Sequence, residues 1–224
     1  MKKKIIIPLI CGMLGCVLLA TGDWLMMYGD VSHSGDIYWL TEGVKAIGAD
    51  RNATSMLVAF PAIVLYSIAL FSIEKLITAK NHRKIYHKLT IISLTPWLCL
   101  HLFYVMILFS FAWLSNNGFE SAAYPLAEAL YSQFSWIVIL SEAIMIPPYV
   151  YWFYLTIANK SELPKAFCIS NPLVIYGVLY IVKTIMPESP FRLGFTNGLM
   201  SEAMFLWFGS VLIFGVSKRK QPAK

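Results

Sequence analysis

Long apolar blocks constrain this chain more than any other sequence feature. The apolar residues gather in blocks of roughly 18 residues or more, rather than recurring in a stripe on one side of a helix or strand. A helix of that length crosses about 30 Å of hydrocarbon, and lipid tolerates no unpaired backbone groups. Only 13% of the residues are charged, against about a quarter in soluble domains. The sequence therefore predicts a single all-α integral membrane domain over residues 1–224.

Six of these blocks are predicted to span the membrane, and the basic residues orient them. The spans are placed at residues 5–27, 53–77, 89–115, 133–158, 168–186 and 194–217. With six crossings both termini lie on one side, and that side holds fourteen of the eighteen Lys and Arg residues. The positive-inside rule then puts both termini in the cytoplasm.

The net charge of +6 has a simple explanation in this arrangement. Lysines next to the spans face anionic lipid headgroups, so membrane lipids are expected partners and nucleic acid is not. The four cysteines and four histidines show no metal-ligand spacing, so no metal site and no cofactor is predicted.

Two segments on the opposite side are predicted to lie along the membrane surface. Ile37, Leu40, Val44 and Ile47 fall on one face of a helix, which predicts an interfacial helix over residues 36–47. The stretch FESAAYPLAEALYSQ, residues 119–133, is a second candidate. Both segments serve either as structural collars or as lids over a site.

Ionisable residues inside the spans are the strongest functional signal, because each costs about 2.5–3.5 kcal/mol to place in lipid. They lie between mid-membrane and the outer surface, whereas the cytoplasmic half has almost none. The candidate ligand-binding residues are Asp23, His101, Glu142, Lys183 and Glu202. The simplest assembly places Glu142, Glu202 and Lys183 around one cavity that opens outward. The alternative is an ion pair that only fixes helix packing.

Span four carries a further signal beside Glu142. Pro147 and Pro148 each remove a backbone donor and clash with the preceding turn, which predicts a kink near residues 143–145. Broken helices inside a membrane are tolerated where they line a cavity or are buried in protein.

The layout resembles small six-helix bacterial membrane families of unknown function. The shared features are the Gly22-Asp23 end of span one, a partly helical outer loop and short basic inner loops. The resemblance implies a fold outline and a bacterial inner-membrane location, and it carries over no functional residues.

Three functions remain open at this point. The first is a transporter or binding protein for a small polar or cationic solute or a lipid headgroup, with a homodimer as one way to supply both gates. The second is a membrane enzyme acting on lipid or isoprenoid substrates, with a carboxylate and His101 as acid and base. The third is a structural subunit of a membrane complex. Catalytic residues are not assigned.

Overall fold

Helices make up most of the described structure. The computed structural model describes residues 3–33, 35–37 and 39–217, apart from the side chains of residues 3, 4, 100, 101, 138, 141 and 142. The helices are α1 Lys3–Met27, α2 Glu42–Ala46, α3 Ala49–Ile73, α4 Lys80–Asn116, α5 Glu120–Ala143, α6 Ile146–Ile157, α7 Pro172–Ile185 and α8 Pro190–Ser217. Short 3-10 helices occur at Glu74–Leu76 and Lys165–Ser170.

Four of these helices are long and apolar enough to cross a membrane. Within the described residues they are Ile5–Met27, Ala49–Leu76, Lys80–Asn116 and Pro190–Ser217, and they correspond to the predicted spans one, two, three and six. The predicted span 133–158 is divided between α5 and α6. The predicted span 168–186 becomes part of a 3-10 helix followed by the 14-residue α7.

Small residues bring the central helices together. α1 packs along both α3 and α8, α4 packs on α3 and α5, and α7 packs on α8. A Cβ atom built on Gly12 would lie 2.3 Å from Ala69 Cβ, and one built on Gly15 would lie 2.7 Å from the Ala62 carbonyl oxygen. Only glycine allows the α1 and α3 backbones to approach this closely.

Large aromatic side chains fill the core beside this contact. Trp152 of α6 meets Trp207 of α8 edge to face, with ring centroids 5.7 Å apart, and both rings are fully buried. Tyr66 of α3 and Tyr149 of α6 share a buried hydrogen bond between their hydroxyl groups. This core joins α1, α3, α6 and α8.

Hydrogen bonds between loops define the two ends of the bundle. At the Lys160 end, Thr78 N donates to Lys160 O over 2.9 Å, and Glu162 N donates to Leu76 O over 2.8 Å. At the Lys45 end, the Asn116 side chain donates to Lys45 O over 2.8 Å. The α1 C-terminus and the α8 N-terminus both lie toward the Lys45 end, because Arg51 beside this end donates to Trp24 O and Trp24 packs on Phe191.

The predicted interfacial helix over residues 36–47 is wrong for most of its length. Among the described residues of this range only α2 is helical, and the Thr41 hydroxyl caps it by accepting a hydrogen bond from Val44 N. Ile37, Leu40 and Val44 are nevertheless buried, as their spacing predicts.

Backbone packing explains the shorter helix. A Cβ built on Gly43 would lie 2.0 Å from Asp30 N, so the chain here is pressed against the segment that follows α1. Glu42 N donates to Ser32 O over 2.7 Å, and this bond ties the start of α2 to the segment that follows α1. These tertiary contacts outweigh the helical pattern.

The second predicted interfacial segment belongs to a longer helix. Residues 120–133 form the first half of α5, and the helix continues to Ala143 without a break at residue 133. α5 then ends where the prolines predict, since Ile144 and Met145 form a turn and α6 begins at Ile146. The predicted kink near residues 143–145 is confirmed.

Candidate functional site

The residues predicted to form a site are placed on five helices. Asp23 lies in the last turns of α1, Lys183 in the last turn of α7, and Glu202 about 18 Å from the start of α8. His101 belongs to α4 and Glu142 to α5, but their side chains lie outside the described part of the chain.

Asp23 and Glu202 are brought together where α1 packs on α8. Asp23 is 8% exposed, and the charged group that acts on it is the Glu202 carboxylate. Glu202 is partly buried, and its Oε2 atom is fully buried with no hydrogen-bond partner among the described residues. Two carboxylates thus share one low-dielectric site.

Two glycines on α8 make room for this arrangement. A Cβ on Gly194 would lie 2.9 Å from the Trp24 ring, and one on Gly198 would lie 3.2 Å from Glu202 Oε1 and 3.4 Å from Trp24 Nε1. The indole nitrogen and the carboxylate are therefore neighbours, and indole N–H acts only as a donor. Trp24 meets one oxygen of Glu202 and leaves the other unpaired.

Basic side chains do not balance the pair within the described structure. The ion pairs formed there join Lys45 to Glu42 and Glu120, His87 to Glu74, and Arg192 to Glu188. Buried carboxylates without a cation are costly, and two like charges in one buried site also repel each other. The site therefore favours a proton or a cation from outside the chain.

A third buried polar side chain lies on the neighbouring stretch of α3. Ser55 Oγ donates to Gly22 O over 2.7 Å, and Arg51 donates to Trp24 O over 3.1 Å, so residues 51–55 run beside the end of α1. Asn52, within this stretch, is fully buried, and both polar atoms of its amide lack partners among the described residues. Sequence reasoning missed Asn52. An asparagine at the start of an apolar helix could have indicated a polar group inside the bundle.

Aromatic rings adjoin the carboxylates. Trp24 stacks on Tyr28 with centroids 5.6 Å apart and meets Phe191 edge to face at 5.1 Å. Phe191 in turn stacks on Phe195 at 6.3 Å. Aromatic faces attract organic cations, most strongly when the face belongs to tryptophan. Carboxylates beside aromatic rings are a chemical combination suited to an ammonium group.

Lys183 lies in a separate cavity toward the Lys45 end. This cavity, the Lys183 pocket, has a volume of about 160 Å³. Its polar lining includes His33, Thr41, Lys183, Ser189, Arg192 and Thr196. Glu202 is not among the residues that line it, so this cavity does not join Lys183 to Glu202. Arg192 was not among the predicted site residues because it lies at a span boundary, where arginine is common.

The break between α5 and α6 is tied to the core rather than to the carboxylate pair. The Tyr149 hydroxyl bonds Tyr66, and the Asn171 side chain donates to Tyr149 O over 3.1 Å. Asn171 also caps α7 by accepting a hydrogen bond from Leu173 N. One asparagine thus joins the start of α7 to the first turn of α6.

The described residues form an all-α bundle with four helices long and apolar enough to cross a membrane, and with paired buried carboxylates beneath one end. A family model covering residues 1–218 matches the chain, and the protein belongs to this family, a family of unknown function designated DUF6796. No curated protein and no solved structure matches the chain.

Proposed function

We propose that this protein is a membrane transporter or binding protein for a small organic cation, with Asp23 and Glu202 supplying the opposing charge. The observation that carries the proposal is the buried, unpartnered Oε2 atom of Glu202 beside a second buried carboxylate. A bound cation would relieve both the repulsion and the desolvation of the pair.

The aromatic rings decide the class of cation. Trp24 lies against Glu202 and contacts Tyr28 and Phe191, so an ammonium group at the carboxylates would also meet π faces. Such contacts add about 0.5–2 kcal/mol for an organic ammonium group. We therefore favour an amine or quaternary ammonium solute, or the same group on a lipid headgroup, over a simple inorganic ion.

The proposal includes six crossings with both termini in the cytoplasm of a bacterial inner membrane. α5 with α6 would form one crossing, and the 3-10 helix Lys165–Ser170 with α7 another, in addition to the four long apolar helices. α7 alone would cover about 21 Å, less than the hydrocarbon thickness, so its flanking residues must complete the crossing.

The distribution of basic residues supports this orientation. Segments 75–88 and 160–165, which carry seven basic residues, adjoin the Lys160 end, and the Lys45 end has far fewer. The positive-inside rule then makes the Lys45 end extracytoplasmic, so the carboxylate pair would be reached from outside.

Thermal unfolding of the purified protein in detergent tests the proposal. Choline and tetramethylammonium are each added to the wild type, Glu202→Gln and Asp23→Asn, with sodium at equal ionic strength as the reference. Glu162→Gln, which alters an exposed carboxylate at the Lys160 end, is the matched control. We expect the organic cations to raise the Tm of the wild type and of Glu162→Gln only.

A second readout separates ligand binding from a structural role of Glu202. Without added cation, Glu202→Gln is expected to unfold at a higher temperature than the wild type at pH 8, because the change removes an unpaired buried charge. The proposal is wrong if the organic cations do not stabilise the wild type, if they stabilise both carboxylate variants equally well, or if Glu202→Gln without cation is markedly less stable.

A further inference from the structure

The Lys183 pocket concentrates positive charge where α7 ends and α8 begins. Lys183 lies in the last turn of α7 and Arg192 in the first turn of α8, and both line the cavity. The Arg192 side chain is only 27% exposed, so its guanidinium group is partly withdrawn from solvent. His33, from the loop after α1, contributes a third nitrogen-bearing group.

Hydroxyl groups surround these cations. Thr41 precedes α2, whereas Ser189 and Thr196 lie at the start of α8, and all three line the same cavity. Ser189 accepts a hydrogen bond from Arg192 N over 3.1 Å and donates to Pro187 O over 3.3 Å, and Thr196 donates to Arg192 O over 2.7 Å. These bonds fix the first turns of α8 beside the pocket, and the charged donors of Lys183 and Arg192 are the groups suited to phosphate oxygens.

One carboxylate opposes this charge. Glu188 lines the pocket, but its Oε1 atom lies 3.9 Å from Arg192 Nη1, and its side chain is 81% exposed. An exposed ion pair at this distance is weak. The lining therefore contains two basic side chains, Lys183 and Arg192, and one carboxylate, Glu188.

The size and surroundings of the pocket indicate what it can hold. Its volume of about 160 Å³ is more than ten times the 10–15 Å³ that a single water molecule requires. Lys183 Nζ also lies 4.9 Å from the centroid of the Tyr180 ring, and Tyr180 is 46% exposed. A ligand with a phosphate at Lys183 would therefore meet an exposed aromatic side chain on the same face of α7.

We infer that the Lys183 pocket binds a phosphate-bearing anion, held by Lys183 and Arg192, the chemistry common to an anionic lipid headgroup and to free phosphate. The inference does not depend on cation binding by Asp23 and Glu202, since neither residue lines this pocket. The protein would then have two sites, one for a cation at Asp23 and Glu202 and one for an anion at Lys183 and Arg192.

Two probes distinguish the sources of the phosphate. Native mass spectrometry of the detergent-solubilised protein compares dioleoyl phosphatidic acid with dioleoylglycerol, which has the same chains without the phosphate. Thermal unfolding in increasing inorganic phosphate tests the free anion. Each is measured on the wild type, Lys183→Gln and Arg192→Gln, with Lys165→Gln as the control at the opposite end of the bundle.

We expect at least one phosphate probe to bind the wild type and Lys165→Gln about tenfold more tightly than Lys183→Gln or Arg192→Gln. A preference for phosphatidic acid alone assigns a lipid, and stabilisation by inorganic phosphate assigns a soluble anion. Glu188→Gln, which removes the opposing carboxylate from a side chain that is 81% exposed, should tighten binding about two- to threefold. Equal binding by the wild type and both basic-site variants, or weaker binding by Glu188→Gln, overturns the inference.

Discussion

Exchanging Gly12 of α1 with Ala69 of α3 tests the helix packing that positions the carboxylate pair. Gly12 of α1 faces Ala69 of α3 on one side and the Phe208 ring of α8 on the other. The three helices that surround the site therefore meet at this glycine. The experiment makes Gly12→Ala, Ala69→Gly and the double variant, which exchanges the two residues.

The distances from a Cβ atom at residue 12 to its neighbours give the expected change in the free energy of unfolding. A Cβ on Gly12 would lie 2.3 Å from Ala69 Cβ, whereas carbon atoms in contact lie about 3.5–4.0 Å apart, so the helices must separate by about an ångström. Overpacking of this kind costs about 3 kcal/mol, and the gain in helix propensity returns about 1 kcal/mol. Ala69→Gly loses a buried methyl group and helix propensity, together about 2 kcal/mol.

The double variant removes the methyl–methyl clash and leaves the helix propensities balanced. What remains is a contact of 2.9 Å with Phe208 Cε2, at the movable edge of a ring. We expect a total loss of about 1 kcal/mol, against about 4 kcal/mol for the sum of the single variants, which is a coupling of about 3 kcal/mol.

Unfolding by sodium dodecyl sulfate titration in mixed micelles measures these free energies. Gly177→Ala is the control, because a Cβ there meets no atom within 4 Å and should be neutral or stabilising by up to about 1 kcal/mol. Additive losses in the double variant, or a loss at Gly177 equal to that at Gly12, would refute the close approach of α1 and α3.

Two further predictions follow from contacts elsewhere in the bundle. Tyr66→Phe and Tyr149→Phe should each cost about 1–3 kcal/mol in the same unfolding assay, because the remaining buried hydroxyl loses its partner, and the double variant should cost less than their sum. Strictly additive losses would argue against the shared hydrogen bond. The hydrogen bond from Lys45 holds the pKa of Glu120 below its ordinary value, so the pair stabilises the Lys45 end at neutral pH and ceases to do so as the pH falls through that lowered pKa. Hydrogen-exchange protection of residues 39–47 should therefore fall on acidification in the wild type, and Glu120→Gln should show low protection at both pH values; an unchanged acid response in Glu120→Gln would contradict this.

The sequence predicts the long apolar helices and one interruption because these features depend on local composition. The long apolar blocks identify the four helices that are long enough to cross a membrane, and Pro147 and Pro148 locate the break before α6. The helix over residues 36–47 fails because contacts between Gly29 and Gly43, distant in sequence, override the local apolar pattern.

The candidate site is only partly predictable for a related reason. Asp23 and Glu202 stand out as charges in apolar helices, but their pairing depends on α1 lying beside α8, which hydropathy does not reveal. Depth in the membrane alone groups Lys183 with Glu202, and the cavity that Lys183 lines does not include Glu202. Trp24 and Asn52 carry no charge and became visible only through their contacts and burial.

Isothermal titration of choline into the purified protein tests most directly whether the Asp23–Glu202 pair binds a cation. The account predicts one site per chain in the wild type, affinity at least about tenfold weaker in Glu202→Gln and in Asp23→Asn, and unchanged affinity in Glu162→Gln. Choline binding of equal affinity in the wild type and in both carboxylate variants would contradict it.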